Sequence, residues 1–203
     1  DCLLSRGLGD VYKRQVKKIF RDIPEGVFQI IMNEIVTNHR NILMLAALSA
    51  FAGMRPSECC NVRREDSPLG PGIVFEVIDG EVTGITIDIS EEKNLRSDLV
   101  NVGGIKKERK QKVYPAFIEA FMSCYDMYMS YIENSPYEAE YGALTNTSTG
   151  KAYTYDSYYM EFRKVVNDCI PIMLEDEDPQ VVNYGHLLQE NRISPHILRH
   201  WFS

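Results

Sequence analysis

Residues Ile42 to Glu58 read ILMLAALSAFAGMRPSE, and the fold turns on how this stretch is divided. From Ile42 to Phe51 the run is apolar nearly all round, the pattern of a helix buried at the centre of a domain. Gly53 ends it, because glycine alone turns the chain sharply without a steric penalty. Pro56 then suits a first helical position and Glu58 a first turn, which predicts a third helix over Pro56–Arg64. Arg55 is left at the sharp junction of the two helices, its backbone pinned from both sides.

On the N-terminal side, Ile23-Pro24-Glu25 reads as a helix entry, and Val27, Ile30, Ile31, Glu34 and Ile35 follow at helical spacing. Upstream, residues 16–22 form a short basic lead-in or linker. Residues 1–15 are expected to be foreign to the fold. Asp10 to Gln15, DVYKRQ, is what GAT GTG TAT AAG AGA CAG encodes, a string resembling the mosaic end of a transposase-based sequencing adaptor. Ser5 to Gly9 continue that match in the same frame, so the segment is set aside.

On the C-terminal side, Ser67-Pro68-Leu69-Gly70-Pro71-Gly72 is a turn cluster. Ile73–Ile78 and Ile85–Ile89 are β-branched and alternating, with Asp79-Gly80 as the turn between two antiparallel strands. After a loop to Gly103-Gly104, the residues Lys112, Val113 and Tyr114 look like one more short strand. Helices are predicted from Pro115 to about Glu133, with Phe117, Phe121 and Tyr125 on one face, then over Tyr155–Cys169 and Gln180–Glu190. Ser194-Pro195 marks a last helix start, with serine as cap and proline at the first helical position. The predicted class is mainly α with a small antiparallel β-sheet.

Composition narrows the compartment. The 203 residues are 44% hydrophobic, enough for one sizeable core, and no apolar run is long enough to span a membrane. No signal peptide is visible. Cys2, Cys59, Cys60, Cys124 and Cys169 contain no C-x-x-C pair, which argues against a zinc site or disulfide framework and for a reducing cytoplasm. The net charge of -7, from 29 acidic and 22 basic residues, weighs against nucleic-acid binding if read globally. Its distribution reads differently. Lys106, Lys107, Arg109, Lys110 and Lys112 form a basic cluster, and Glu175, Asp176, Glu177 and Asp178 an acidic one. A protein can turn a basic face to DNA while its back is acidic.

Three pieces carry possible chemistry: Arg55 at the helix junction, the lysine-rich turn from Lys106 to Lys110 before a strand, and His196-Ile197-Leu198-Arg199-His200. On a helix, His196, Arg199 and His200 crowd one face. Taken singly, each is ordinary: an arginine at a helix start is usually a surface residue, and a lysine-rich hairpin is usually solvated. Their order along one chain is what distinguishes them.

In that order the sequence resembles the tyrosine recombinases, the phage integrase family. Gly53, Arg55, Ser57 and Glu58 match the first box, roughly G-x-R-x-S-E, and His196, Leu198, Arg199 and His200 match the H-x-L-R-H box. A lysine in a β-hairpin lies between the boxes in the family, and Trp201-Phe202 suits the run after the second. The resemblance covers Ile23 to Ser203 and implies the DNA breaking-rejoining catalytic-domain fold. It implies an enzyme that attacks a DNA phosphodiester with a tyrosine hydroxyl and forms a 3′-phosphotyrosyl link, which a 5′-hydroxyl then reverses.

By this resemblance Arg55 and Arg199 grip the non-bridging oxygens of the phosphorane, a task for planar, permanently charged guanidiniums. Lys106, or alternatively Lys107, protonates the leaving 5′-oxygen. His196 hydrogen-bonds the phosphate or assists proton transfer, and Glu58 and His200 support the cluster. Lys107, Arg109 and Lys110 contact the DNA backbone. No metal or cofactor is expected. The implied partners are double-stranded DNA and further copies of the chain in a tetrameric synapse. The family's later histidine or tryptophan and its tyrosine follow the second box, whereas only Trp201, Phe202 and Ser203 do here. The expectation is a catalytic domain over residues 23–203 that stops before its nucleophile and cannot itself cleave DNA. Three alternatives stand beside this one. A type IB topoisomerase shares the catalytic plan. A non-catalytic helical DNA-binding module would need no tyrosine. A helical protein unrelated to DNA predicts that Arg55, His196 and Arg199 do not meet in space.

Overall fold

The computed structural model describes residues 23–89, 104–135 and 142–202. The adaptor segment, the linker and most of the loop before Gly104 lie outside them. Helix α1 is Glu25–Asn38, and it buries Val27, Phe28, Ile31, Met32 and Ile35 at helical spacing. A 3₁₀ turn, Arg40–Ile42, feeds α2, Leu43–Ala52, in which all ten residues are buried. This is the axis of the core, as its apolar run predicts. Each large side chain buried there contributes about 1.5–3 kcal/mol. Gly53 closes α2 in the left-handed conformation, at φ 62°.

Helix α3 is only Pro56–Cys59, shorter than the predicted Pro56–Arg64. The physical reason is a competing partner for the backbone. Leu144 N–H donates to the Val62 carbonyl (2.8 Å) and Arg64 N–H to that of Gly142 (2.9 Å), so the chain after Cys60 pairs with a distant segment instead of continuing the helix. The Arg63 side chain secures this turn, with its guanidinium on the Gly70 carbonyl (3.0 Å) and Asp88 (3.0 Å).

The sheet is three-stranded and antiparallel in the order β1-β2-β3. Strand β1, Ile73–Ile78, and β2, Glu81–Ile89, form the predicted hairpin, with β2 beginning at Glu81, directly after the turn, and not at the expected Ile85. Asp79 and Gly80 both take positive φ, 53° and 87°, which is what a two-residue turn joining twisted strands requires. Ile73, Ile85, Ile87 and Ile89 face the core. Strand β3 is Arg109–Lys112, earlier than the Lys112–Tyr114 read from the sequence. Its register sets Ile89 opposite Arg109 and Thr86 opposite Lys112. Arg109 and Lys110 therefore belong to a strand, not to the turn before it.

Helix α4, Ile118–Glu133, packs on α2 and buries Phe121, Cys124 and Tyr128. Of the predicted face, Phe117 and Tyr125 are only partly buried. Helix α5, Tyr155–Leu174, runs beyond the expected Cys169 end and through Pro171. It packs against α1 and against α6, Pro179–Glu190. The last helix, α7, His196–Phe202, lies on α2. The molecule is thus mainly α with a small antiparallel sheet. Cys59, Cys60, Cys124 and Cys169 are free and buried. Among the described residues, no helix is long and apolar enough to cross a membrane.

Candidate active site

The end of α2, the start of α3, strand β3 with the bend before it and helix α7 surround one open cleft of about 530 Å³. Ala52, Gly53, Arg55, Lys106, Lys107, Arg109, Gln111 and Arg199 line it. Arg55 and Arg199, distant in sequence, therefore share a wall with both lysines of the bend before β3. Arg55 and Arg199 thus meet in space, where a helical protein unrelated to DNA was expected to keep them and His196 apart. His196 does not line the cleft, but it stands close enough for Arg199 and Arg55 to act on its charge.

Glu58 sits beneath this group with no exposed surface. Its carboxylate accepts from the Arg55 backbone N–H (3.1 Å, Oε2) and from Arg55 Nη1 (3.0 Å, Oε1), closing the first turn of α3. From the other side Arg109 grips it bidentately, with Nη1 to Oε1 at 3.2 Å and Nη2 to Oε2 at 2.9 Å. Burial alone would raise the Glu58 pKa, but the hydrogen bonds from Arg109 and Arg55 and the Arg109 charge outweigh it and hold the carboxyl below its ordinary value.

Arg109 is spent further. Nε donates to Gln111 Oε1 (2.8 Å), and Nη1 donates also to the Lys107 carbonyl (3.0 Å). Arg109 and Gln111 share one face of β3, so Lys110 and Lys112 point to the other. Lys110 is exposed outside the cleft, and Lys112 meets Glu76 (3.5 Å). Of the three residues expected to contact the DNA backbone, Lys107 and Arg109 are in the cleft and Lys110 is not. Gln111 was not singled out from the sequence; its only signal was a spacing of two from Arg109.

The electrostatics are those of crowded cations. Burial, then the neighbouring Arg55, push Arg199 below its ordinary pKa; Glu58 opposes this and Arg109 adds to it. His196 is lowered by burial first, then by His200, Arg199 and Arg55. It is therefore biased toward the neutral imidazole, which donates from one ring nitrogen and accepts at the other. Its ring meets that of His200 edge-on, with centroids 5.0 Å apart. Such a cluster lowers its own repulsion by taking up an anion.

Helix α7 is docked by Trp201, whose ring stacks on Phe28 at 3.9 Å and 3°. Phe117 and Phe51 lie 5.3 and 6.2 Å away, and the indole N–H donates to Glu25 Oε2 (3.2 Å). This aromatic nest fixes the helix that carries His196 and Arg199. Elsewhere, among the described residues, Glu34, His39 and Asp168 bring three possible metal donors within 4.8 Å of one another. His39 Nε2 lies 3.0 Å from Asp168 and 3.7 Å from Glu34, a polar contact between α1 and α5 made of none of the cleft residues.

No protein-family model matches the chain, and no curated protein matches it. Solved structures similar to it include the XerH site-specific recombinase bound to palindromic difH substrate in a post-cleavage complex (TM-score 0.49, 19% identity, 90% of this chain and 40% of that one). A pre-cleavage complex of XerH with difH gives a TM-score of 0.47 at 19% identity, over 89% of this chain and 41% of that one. The Tn1549 transposon integrase in complex with circular intermediate DNA gives 0.48 at 15% identity, over 89% of this chain and 50% of that one. The chain thus spans between 40% and 50% of the length of these structures.

Proposed function

We propose that the chain is the catalytic-domain part of a tyrosine recombinase, and that its cleft holds the scissile phosphate of double-stranded DNA. The observation that carries this reading is the meeting of Arg55, Arg199, Lys106 and Lys107 in one cleft. In this reading the two guanidiniums stabilise the phosphorane from different elements of the fold, and pre-aimed charge of this kind supplies much of the rate in phosphoryl transfer. Lys106, with Lys107 as the alternative, gives its proton to the leaving 5′-oxygen. His196 supports the phosphate or the attacking hydroxyl, with His200 against its ring. The tyrosine comes from sequence after the second box. Further copies of the chain assemble on the DNA, in the cytoplasm.

The test uses a chain extended with its parent's sequence beyond Ser203 and a nicked suicide duplex. The expected outcome is a covalent protein–DNA adduct, slowed by about 10²-fold or more when Arg55 or Arg199 is replaced by alanine. A 5′-bridging sulfur, which leaves without a proton, should rescue Lys106→Ala, or Lys107→Ala if that lysine is the acid. Absence of any adduct, or rescue of neither lysine variant, would defeat the respective assignment.

A further inference from the structure

Arg109 occupies the position of a DNA contact but does not have the free donors of one. A guanidinium offers five N–H groups. Four hydrogen bonds already run from this one, to Glu58 Oε1, Glu58 Oε2, Gln111 Oε1 and the Lys107 carbonyl. The bidentate face that would meet a phosphate is turned onto a carboxylate that has no exposed surface. Arg55, by contrast, gives Glu58 a single side-chain N–H.

We infer that Arg109 is a positioning residue: through buried Glu58 it locks the Lys106–Lys107 bend against Arg55, and it does not bind DNA itself. The inference rests on the cleft being the DNA-phosphate site proposed above. One carboxylate joins two elements that sequence keeps 51 residues apart, α3 below Arg55 and β3 behind the lysines. The contact to the Lys107 carbonyl carries that restraint into the bend. Without Arg109 the bend loses this tie to Glu58, and the lysines lose their fixed distance from the arginine. With it, the two lysines and Arg55 act as one preformed anion cradle.

The sign of one substitution separates positioning from direct contact. Replacing Glu58 by glutamine removes a negative charge beside a phosphate site. If Arg109 were a DNA contact, that change would release it and tighten binding. If Arg109 positions through Glu58, the same change loosens the cradle and weakens binding. The experiment is fluorescence anisotropy of a short fluorescein-labelled duplex titrated with the 203-residue chain at low salt, at a temperature where circular dichroism shows each variant folded. Arg109→Lys keeps the charge and loses the fork, so it remains informative should Glu58→Gln fold poorly.

The expected result is about fivefold weaker binding for Arg109→Lys, Arg109→Gln and Glu58→Gln. The Arg109→Gln/Glu58→Gln double variant should be no weaker than either single one, because all three remove the same link. Near-unchanged affinity in Arg109→Lys with tighter binding in Glu58→Gln would overturn the inference. So would a lowered melting temperature with unchanged affinity, the mark of a merely structural pair. Arg55→Ala and Arg199→Ala locate the failure. If they weaken binding while the Arg109 and Glu58 variants do not, this inference alone falls. If they too leave binding unchanged, the cleft reading falls and takes this inference with it.

Discussion

Glu58 is a carboxylate with no exposed surface that accepts four hydrogen bonds from two arginines. Its energetics follow from that. Removing the charge while keeping the shape leaves two guanidiniums short of an ionic acceptor. Glu58→Gln should therefore cost about 2–3 kcal/mol in urea unfolding, within the range for a broken charge-assisted pair whose partners keep some access to water. The pH dependence has a definite sign. The carboxyl is held below its ordinary pKa in the folded protein, so an unfolded chain takes up the proton first as the solution is acidified. The stabilisation is fully present above the unfolded value of about 4.3 and is lost as pH falls through the folded one. Unfolding measured between neutral pH and the acid limit should show a loss of stability in wild type that is missing in Glu58→Gln. Parallel acid curves for the two proteins would rule out this origin. Of this residue, the sequence makes visible only the local half: a Glu three positions after Arg55 reads as a helix-start partner. The bond to Arg109 is a tertiary contact and has no local pattern.

Helix α7 has seven residues, too few to persist in water without tertiary support. Its support comes from buried Ile197 and Leu198 and from Trp201 on Phe28. Trp201→Ala should cost about 2–3 kcal/mol, less than a fully buried tryptophan because the ring is only partly covered. Trp201→Phe should recover part of it, since one ring still stacks on Phe28 while the rest of the indole and its N–H bond to Glu25 are lost. Equal losses in the two variants, measured by denaturant unfolding, would show that the stack on Phe28 does not dock the helix. Elements with strong patterning or clear caps were legible in the sequence: α1 from its apolar spacing, α2 from its nearly continuous apolar run, the hairpin from Asp79-Gly80, α7 from Ser194-Pro195. Two of the departures from the sequence reading have clear physical reasons. Helix α3 stops at Cys59 because Val62 and Arg64 find backbone partners near Gly142 and Leu144. Strand β3 reads RKQK, with no apolar residue to mark its inner face, because that face meets a cleft.

At the scale of the whole molecule, a chain of net charge -7 is proposed to hold a polyanion. The fold makes this physically coherent by segregation. Arg55, Lys106, Lys107, Arg109 and Arg199 are gathered on one cleft, while the acidic run Glu175–Asp178 follows the end of α5 and caps α6. Long-range repulsion is screened beyond about 8–10 Å at ordinary ionic strength, so the local cations decide affinity once DNA is close. Binding should then be steeply salt-dependent, because each neutralised phosphate releases counterions and contributes about -0.9 to the slope of log K against log salt. Replacing Lys106 and Lys107 together by alanine should flatten that slope by up to about 1.8, two such contacts. Lys110→Ala supplies the contrast: the residue belongs to the same basic run in sequence, but β3 turns it to the opposite face. It should leave the slope unchanged if the cleft carries the DNA. Anisotropy titrations across a salt series decide the matter. A slope that responds to Lys110 and ignores Lys106 and Lys107 would place the DNA on the outer face of the sheet, away from Arg55 and Arg199.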